Sequence, residues 1–291
     1  IKKEINESAA NWLFVGDPAQ LPPPSGERSR LLDYEGETMQ KIVRQQEGNP
    51  IIEAAHAIRQ GEDWRKYVRL NDNKGLYQTN QPQAFVKSMV KKLKRGDYQD
   101  DPYVCRILAA HNKRVKEWNQ KIKDTLFPHT PEWDKEMWCV AQDTWSEGGS
   151  VSIQNSELLF IEEAKKSYVM IDNVGLPIWV LKGKTNGGRN TTVKTLAEEG
   201  RDEYETHLEI RLDDAKRNGG GAWKRYYTLK EGLCEVRHPF SSTVHKAQGS
   251  TYETIYIDLQ DISEFPGGVG MMESLKYVAF TRASKNIGIL E

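Results

Sequence analysis

The spacing of apolar positions at the start of the chain predicts one strand and two helices. Trp12 to Val15 is a short apolar run stopped by Gly16-Asp17-Pro18, which predicts a buried strand that ends in a sharp turn. Between Thr38 and Gln60 the apolar positions fall on helical faces interrupted at Gly48-Asn49-Pro50, which predicts two helices. Gly61 is expected to end the second helix, since glycine adopts the left-handed conformation that closes a helix.

The later outer segments repeat an alternation of strands and helices, which is typical of an α/β domain. The predicted segments are a helix from Gln83 to Arg95, a strand from Tyr103 to Ala110, a helix after His111 up to Leu126, strands at Ser241 to Val244 and Thr254 to Leu259, a helix near Glu273 to Arg282, and a last strand from Ile287 to Leu290.

The middle of the chain has a different pattern, with short strand-like runs separated by Gly and Asn clusters, which predicts a small all-β module. Its predicted strands are Leu158 to Ile161, Tyr168 to Ile171, Ile178 to Leu181, Leu208 to Leu212 and Arg225 to Leu229. We therefore expect an α/β fold, with a parallel sheet covered by helices on both faces, interrupted by a small all-β insert. The expected domains are 1–128 with 236–291, and the insert 129–235.

Composition supports this division. A chain of 291 residues is long enough for two domains, and its net charge of −1 indicates no particular partner. The charge is uneven, however: residues 1–128 carry +5, residues 129–235 carry −5 and residues 236–291 carry −1. A polyanion is therefore expected to favour the outer lobe over most of the insert.

Several classes of protein are excluded. With 37% apolar and 29% charged residues, and no apolar run near 18 residues, the chain has no predicted membrane span and is not expected to be disordered. Cys105, Cys139 and Cys234 lie far apart in the sequence, which argues against a disulfide framework and against a metal site. We therefore expect a reducing compartment. The N-terminus has neither a signal peptide nor an initiator Met, so we expect the sequence to begin inside a longer protein.

Three short segments are weak signals individually but form a specific pattern because they occur together and in a fixed order. They are Gly16-Asp17-Pro18-Ala19-Gln20-Leu21-Pro22-Pro23, the segment from Ser242 to Tyr252 with Val244-His245-Lys246-Ala247-Gln248-Gly249 at its centre, and Tyr277-Val278-Ala279-Phe280-Thr281-Arg282-Ala283. They resemble motifs III, V and VI of superfamily 1 nucleic-acid helicases, in the branch of RecD-like and phage Dda-like enzymes. Val43-Arg44-Gln45 and Ile58-Arg59-Gln60-Gly61 resemble motif IV and the helix after it. The resemblance implies a RecA-like domain 2A and an SH3-like domain 2B as the insert.

The nucleotide-facing candidates are Asp17, Gln20, Arg44, Gly249 and Arg282. An arginine side chain stays protonated and its planar fork matches phosphate oxygens, so it can stabilise charge on a transferring phosphoryl group. The resemblance assigns Arg44 and Arg282 to the arginines that reach the γ-phosphate, with Gln20 between the two lobes. Without the resemblance, each arginine reads as a surface ion-pair residue and Gln20 as a solvated turn residue.

The nucleic-acid candidates are Thr243, His245, Lys246, His111 and Asn112. Backbone amides and a hydroxyl at a strand-to-helix turn can hold a phosphodiester, and the resemblance gives motif V this role. His111 and Asn112 open a helix and are expected to bind another backbone phosphate, with helix capping by Asn112 as the equal alternative.

Two further sets of residues are less specific. Trp223, Tyr226 and Tyr227 can stack on bases, although core packing is expected for at least half of them. Many relatives carry Glu where this chain has Thr251, so the ribose contact of that Glu is not carried over, and Glu253 is a weak substitute.

The sequence contains no P-loop and no Asp-Glu pair after an apolar strand ahead of Gly16. Gly183-Lys184-Thr185 lacks the first glycine of a P-loop, because position 178 is Ile. We therefore expect ATP and Mg²⁺ as cofactors whose main cradle and metal ligands lie in a missing N-terminal RecA-like domain, and we expect the fragment alone to be inactive.

The resulting hypothesis is the C-terminal part of an ATP-dependent superfamily 1 DNA helicase in the cytoplasm of a bacterial or phage-infected cell. Its expected partners are single-stranded DNA and the missing lobe, with no membrane. The branch implies 5′ to 3′ movement. The alternatives are an RNA helicase of the Upf1-like group and a non-catalytic fragment that binds single-stranded nucleic acid.

Overall fold

The computed structural model describes residues 10–17, 20–22, 37, 44–94 and 97–291. These residues form two compact units. The first consists of residues up to Phe85, Cys105–Val115 and Ser242–Glu291, and the second of Val86–Val104 and Lys116–Ser241. The expected domain bounds at 128/129 and 235/236 stay a prediction.

The strands, in chain order, are β1 (Leu70–Asn71), β2 (Lys74–Thr79), β3 (Cys105–Ala109), β4 (Trp138–Ala141), β5 (Trp145–Glu147), β6 (Ser150–Ile153), β7 (Leu158–Ile171), β8 (Val174–Thr185), β9 (Asn190–Leu196), β10 (Val236–Arg237), β11 (Ser241–Thr243), β12 (Tyr252–Asp258) and β13 (Ala283–Leu290). The α-helices are α1 (Pro50–Gln60), α2 (Pro82–Leu93), α3 (Asp97–Asp100), α4 (Asn112–Leu126), α5 (Arg201–Asn218), α6 (Gly221–Lys230), α7 (Val244–Ala247), α8 (Leu259–Ser263) and α9 (Gly268–Phe280). Short 3₁₀ helices lie at Trp64–Tyr67 and Glu198–Gly200.

A six-stranded mixed sheet with the order β1-β2-β13-β12-β3-β11 carries the α/β part of the fold. Strands β2, β13, β12 and β3 are parallel neighbours, whereas β1 and β2 are antiparallel. Parallel strands are buried on both faces, and Ile255, Ile257, Ile287 and Ile289 are accordingly fully buried. The predicted α/β fold class is confirmed by this sheet.

Helix α1 shows how the local sequence sets the limits of an element. The Asn49 side chain accepts a hydrogen bond from the Ile51 amide at 3.0 Å, which satisfies a free donor at the start of the helix. Gly61 ends the helix in the left-handed region with a φ of 72°. The second of the two helices predicted between Thr38 and Gln60 is thus confirmed, whereas residues 38–43 of the first lie outside the described residues.

The second unit is built around a five-stranded antiparallel sheet with the order β10-β4-β7-β8-β9. Strands β7 and β8 form a long hairpin whose turn residues Asp172 and Asn173 both have positive φ, as a tight hairpin turn requires. The predicted strands Leu158 to Ile161 and Tyr168 to Ile171 are therefore two parts of one strand. Gly183-Lys184-Thr185, rejected above as a P-loop, lies in β8 and pairs with its neighbours on both sides.

Two of the strands predicted for the insert are wrong, because Leu208 to Leu212 lies in helix α5 and Arg225 to Leu229 lies in helix α6. The window from Leu208 to Leu212 alternates apolar and polar positions, but Tyr204, Leu208 and Leu212 also recur at the four-residue spacing of a helix. In the fold they pack against buried residues of β7, β8 and helix α6. The insert is therefore not all-β.

The predicted buried strand from Trp12 to Val15 is also wrong. These residues have no regular secondary structure, and Leu13 and Val15 are 88% and 79% exposed. A strand becomes buried only where neighbouring strands cover it. In the part of the chain that the structure describes, the apolar run has no neighbouring strand. Pro23 to Gly26 of the following proline-rich loop lie outside the described residues.

None of the helices in the described ranges is long and apolar enough to cross a membrane.

Candidate functional site

The candidate residues of the first unit follow strands of its mixed sheet. His111 and Asn112 follow β3, the segment from Val244 to Gly249 follows β11, and Asp261 follows β12. Ligands of open α/β sheets bind beyond the carboxyl ends of the strands, where the loops carry side chains that the sheet itself does not pair.

Arg44 and Arg282 lie close together because both contact Thr281. Arg44 and Thr281 are 237 positions apart in the sequence. The Arg44 Nε donates to Thr251 Oγ1 at 2.9 Å, and its Nη1 donates to the carbonyl oxygen of Thr281. Arg282 is 4% exposed and donates from Nε to the Val278 carbonyl at 3.1 Å and from Nη2 to Thr281 Oγ1 at 3.0 Å. Thr281 therefore holds both guanidinium groups.

The oxygens that receive these hydrogen bonds are all neutral. Burial lowers the pKa of the Arg44 guanidinium, and burial together with the positive charge of Arg44 lowers the pKa of Arg282 to about 10. Both side chains remain charged near neutral pH. The charge of Asp17 raises the pKa of Arg282 by less than burial and Arg44 lower it, so the two adjacent guanidinium groups favour an anion such as a phosphoryl group.

Asp17 and Gln20 join this cluster through a chain of hydrogen bonds. The Tyr277 hydroxyl donates to Asp17 Oδ2 at 3.2 Å, and Gln20 Nε2 contacts the same oxygen at 3.4 Å. Gln248 Nε2 in turn donates to Gln20 Oε1 at 2.9 Å. Burial and the charge of Asp17 raise the pKa of Tyr277, which keeps its hydroxyl a donor. Segments from motifs III, V and VI therefore meet at these four side chains.

Thr243, His245 and Lys246 form a tight turn at the end of β11. Thr243 is buried, and its Oγ1 accepts from the Lys246 amide at 3.2 Å at the start of the short helix α7. Burial lowers the pKa of the half-buried His245, which favours its neutral form. Gly249 has a φ of 90° and no protein atom near its missing Cβ, so the backbone is open to a ligand there.

A carboxylate from another loop lies at His111. Asp261 Oδ2 accepts from the amides of Ala110 at 2.5 Å and His111 at 3.0 Å, and Asp261 Oδ1 lies 2.9 Å from His111 Nδ1. Asn112 begins helix α4 directly after His111. The start of this helix, expected to face a phosphate, is therefore already beside a buried carboxylate.

Phe265 links the two candidate histidines. Its ring centroid lies 5.4 Å from that of His111 and 5.9 Å from that of His245. Phe265 is half-buried in the loop between helices α8 and α9. His111, His245 and Phe265 thus share one region of the first unit.

The aromatic residues of the insert form a separate cluster on helix α6. Trp223 and Tyr227 stack with centroids 5.9 Å apart, and Tyr226 contacts both rings. Tyr226 is buried, whereas Trp223 and Tyr227 are exposed, so the expectation that at least half of these three residues pack in the core is wrong. Lys230 lies over the rings of Tyr226 and Tyr227.

Several site residues escaped the sequence reasoning. Tyr277, Thr281 and Gln248 lie inside the motifs, so their position was a usable signal. Asp261 and Phe265 lie outside the motifs, and no local pattern distinguishes them. Glu253, the weak substitute for a ribose contact, is paired with Lys285 at 2.8 Å. Thr251 instead accepts from Arg44.

No group of three metal-ligating side chains occurs in residues 10–17, 20–22, 37, 44–94 and 97–291.

Similarity to solved structures is spread over most of the chain but is weak. The Pif1 helicase from Bacteroides in complex with ADP-AlF3 and single-stranded DNA is 14% identical, with 94% of this chain and 60% of that chain covered and a TM-score of 0.48. The Pif1 helicase from Candida albicans is 13% identical, with 86% and 55% covered and a TM-score of 0.44. No protein-family model matches the chain.

Two curated proteins are similar in sequence. The uncharacterized protein R530 of Acanthamoeba polyphaga mimivirus is 39% identical over 69 residues, which cover 23% of this chain and 14% of that protein. The ATP-dependent DNA helicase dda of Enterobacteria phage T4 is 24% identical over 259 residues, which cover 82% of this chain and 58% of that protein. The chain thus spans less than two thirds of the length of these relatives. Over most of its own length it is similar to the Dda-like branch of superfamily 1 helicases, in the C-terminal part, as the motif series indicated.

Proposed function

We propose that this chain is the second RecA-like domain, 2A, with an SH3-like 2B insert, of an ATP-dependent superfamily 1 DNA helicase. The observation that carries the proposal is the pair of arginines, Arg44 and Arg282, held together on neutral oxygens beside Asp17 and Gln20. The similarity to the phage T4 DNA helicase supports the same activity.

In this proposal the two arginines act on the γ-phosphate of ATP. Neutral oxygens hold both guanidinium groups in place, so the groups are preorganised for charge that develops during phosphoryl transfer. ATP supplies the phosphoryl group and Mg²⁺ neutralises its charge, and we assign the P-loop and the metal ligands to a part of the protein outside these 291 residues. The chain alone is then inactive.

The hydrogen-bond chain from Tyr277 through Asp17 and Gln20 to Gln248 gives the nucleotide site a link to the nucleic-acid site. Gln248 follows helix α7 directly, and Lys246 and His245 belong to that helix. A change of hydrogen-bond partner at Gln20, when a phosphate or water replaces Asp17 or Gln248, would alter the position of the turn at Thr243. We propose this turn, with His111 and Asn112, as the single-strand contact.

Opening and closing of the cleft between the two lobes would then move the strand, in the 5′ to 3′ direction that the branch implies. The proposed domain bounds are 1–128 with 236–291 for domain 2A and 129–235 for domain 2B. The long antiparallel sheet of the insert supports a small barrel with helices α5 and α6 added to it.

The test uses the purified 291-residue chain, alone and together with a polypeptide that carries a P-loop and an Asp-Glu strand from the same natural protein. We expect the chain alone to bind an oligothymidylate with salt-dependent affinity and to hydrolyse no ATP. We expect strand-stimulated ATPase when the second polypeptide is present.

Hydrolysis by the chain alone would contradict the proposed division of the active site. Binding without any ATPase after the second polypeptide is added would instead support a non-catalytic binding fragment. Competition between DNA and RNA strands of one sequence decides the substrate, because the 2′-hydroxyl distinguishes their backbones.

A further inference from the structure

The rings of His111, Phe265 and His245 form a continuous aromatic surface, which we call the aromatic edge. Phe265 lies between the two histidines, with ring centroids 5.4 Å and 5.9 Å away and interplanar angles of 43° and 45°. Phe265 is half-buried, and the side chain of His111 is 38% exposed. Part of the aromatic edge is therefore open to a ligand.

The negative charge of Asp261, which lies beside His111, determines which ligand fits there. Asp261 takes the hydrogen bonds of the Ala110 and His111 amides and lies 2.9 Å from His111 Nδ1. A phosphate at the start of helix α4 would meet this carboxylate, and two negative charges at such a separation repel each other. This part of the site therefore disfavours a phosphate.

The neighbouring turn has the opposite character. Lys246 is an exposed cation, and no atom lies within 4 Å of the position that a Cβ on Gly249 would occupy, so the backbone of the turn is open there. A single strand carries phosphates on one side and bases with flat apolar faces on the other. The turn therefore matches the phosphodiester, and the aromatic edge matches a base.

The loop after Phe265 is exposed. Pro266 and Gly268 are exposed, and no atom lies within 4 Å of the position that a Cβ on Gly268 would occupy. The segment between Phe265 and helix α9 is therefore exposed next to the aromatic edge along the chain.

We propose that Phe265, supported by His111 and His245, stacks on an unpaired nucleobase of the bound single strand. The proposal rests on the proposed function, since it adds a base contact to the same strand-binding site. It also replaces the phosphate expected at His111 and Asn112 with a base.

The first test compares strand affinity of the purified 291-residue chain and its F265A, F265L and F265Y variants by fluorescence anisotropy. F265A and F265L are expected to bind oligothymidylate about 10-fold more weakly than the wild type, because base stacking on an aromatic ring is lost. F265Y is expected to bind normally. Leucine retains the apolar contact with the histidines, so F265L separates loss of stacking from loss of folding.

Two readouts distinguish a base contact from a phosphate contact. The slope of log Kd against log salt concentration is expected to be the same in wild type and F265A, since no phosphate contact is removed. An abasic strand of equal length is expected to bind the wild type and F265A equally. A single 2-aminopurine moved along the strand is expected to be quenched at one position in the wild type and to recover in F265L.

The matched control is Y168A, which removes an exposed aromatic ring of the antiparallel unit, where Tyr168 is 64% exposed. It is expected to leave affinity unchanged. Wild-type affinity in F265L, or an equal loss on the abasic strand, would overturn the base-stacking proposal. Failure of the wild-type chain to bind any strand would instead contradict the proposed function itself.

Discussion

Arg211 of the antiparallel unit and Arg282 of the α/β unit are both mostly buried, but their partners differ in charge. Arg211 pairs with Asp172 at 2.7 Å and also donates to the carbonyls of Asp172 and Arg225. Arg282 donates to a carbonyl and a hydroxyl. The hydrogen bonds that Arg282 and Arg44 donate to described residues end on neutral oxygens, and the charge of Asp17 acts on Arg282 from nearby.

Under the proposed function, this difference in partners distinguishes arginines that stabilise the fold from arginines that bind the phosphoryl group. A carboxylate neutralises Arg211 and leaves it no capacity for another anion. Neutral oxygens fix the orientation of Arg282, and the nearby charge of Asp17 offsets burial and the charge of Arg44 only in part, so the pKa of Arg282 stays lowered. The same reasoning applies to Arg189, which pairs with Glu157 at 2.9 Å.

The largest expected effect is on hydrolysis. In the protein with its P-loop polypeptide, Arg282→Ala is expected to lower the ATPase rate by about 10³ to 10⁵ while strand binding is retained. This loss is equivalent to roughly 4 to 7 kcal/mol of transition-state stabilisation. Steady-state ATPase assays and anisotropy measure the two quantities. A loss of strand binding as large as the loss of rate would show misfolding instead.

Arg44→Ala is expected to have the next largest effect, roughly 10² to 10³ in rate, because it removes one donor to the transferring group. Arg44→Lys keeps the charge and loses the planar fork, so it is expected to recover little of the rate. If Arg44→Ala hydrolyses ATP as fast as the wild type, the two arginines do not form one functional pair.

The third prediction concerns pH and the antiparallel unit. His238 is buried between Trp133 and Phe240, and burial followed by the nearby charge of Lys123 lowers its pKa to about 3. The unfolded chain binds a proton on this ring below pH 6.5, whereas the folded chain does not until the pH approaches 3. Acid therefore favours unfolding across this window, and the free energy of unfolding is expected to fall by up to about 2 kcal/mol at pH 5.

Urea unfolding at pH 7 and pH 5 measures this effect. His238→Phe keeps an aromatic ring without a titrating nitrogen, so this part of the pH dependence is expected to disappear in the variant. An identical pH dependence in wild type and His238→Phe would show that other groups cause it.

The smallest effect is expected at the paired arginine. Arg211→Met keeps the aliphatic packing and removes the ion pair, and is expected to lower the free energy of unfolding by about 1 to 2 kcal/mol. ATPase in the complete protein is expected to be unchanged. A catalytic defect in Arg211→Met would contradict the distinction between arginines that pair with a carboxylate and arginines that neutral oxygens hold.

The strands of the α/β unit were predictable because a buried strand is a short run of apolar residues, which is visible in the local sequence. Strand β3 corresponds to the predicted segment from Tyr103 to Ala110, and strand β12 to the predicted segment from Thr254 to Leu259. The insert was harder, because the window from Leu208 to Leu212 satisfies both a two-residue and a four-residue spacing. Packing of α5 on its neighbours decided in favour of the helix.

The candidate site was predictable in its residue types and not in its contacts. Arg282 and Thr243 were identified from their motifs, and their roles stay a prediction. The contact between Tyr277 and Asp17 joins residues 260 positions apart, and Asp261 reaches His111 over 150 positions. No local pattern reports contacts over such separations.

The sequence by itself determined the strand and helix types of most outer segments and the order of the motifs, because apolar spacing and residue chemistry are local properties. Only the tertiary structure decided that Arg44 and Arg282 share Thr281, that a carboxylate lies at His111 and that Phe265 lies between two histidines. Whether a charged side chain is compensated depends on the groups that the fold brings beside it, and distant parts of the chain supply those groups.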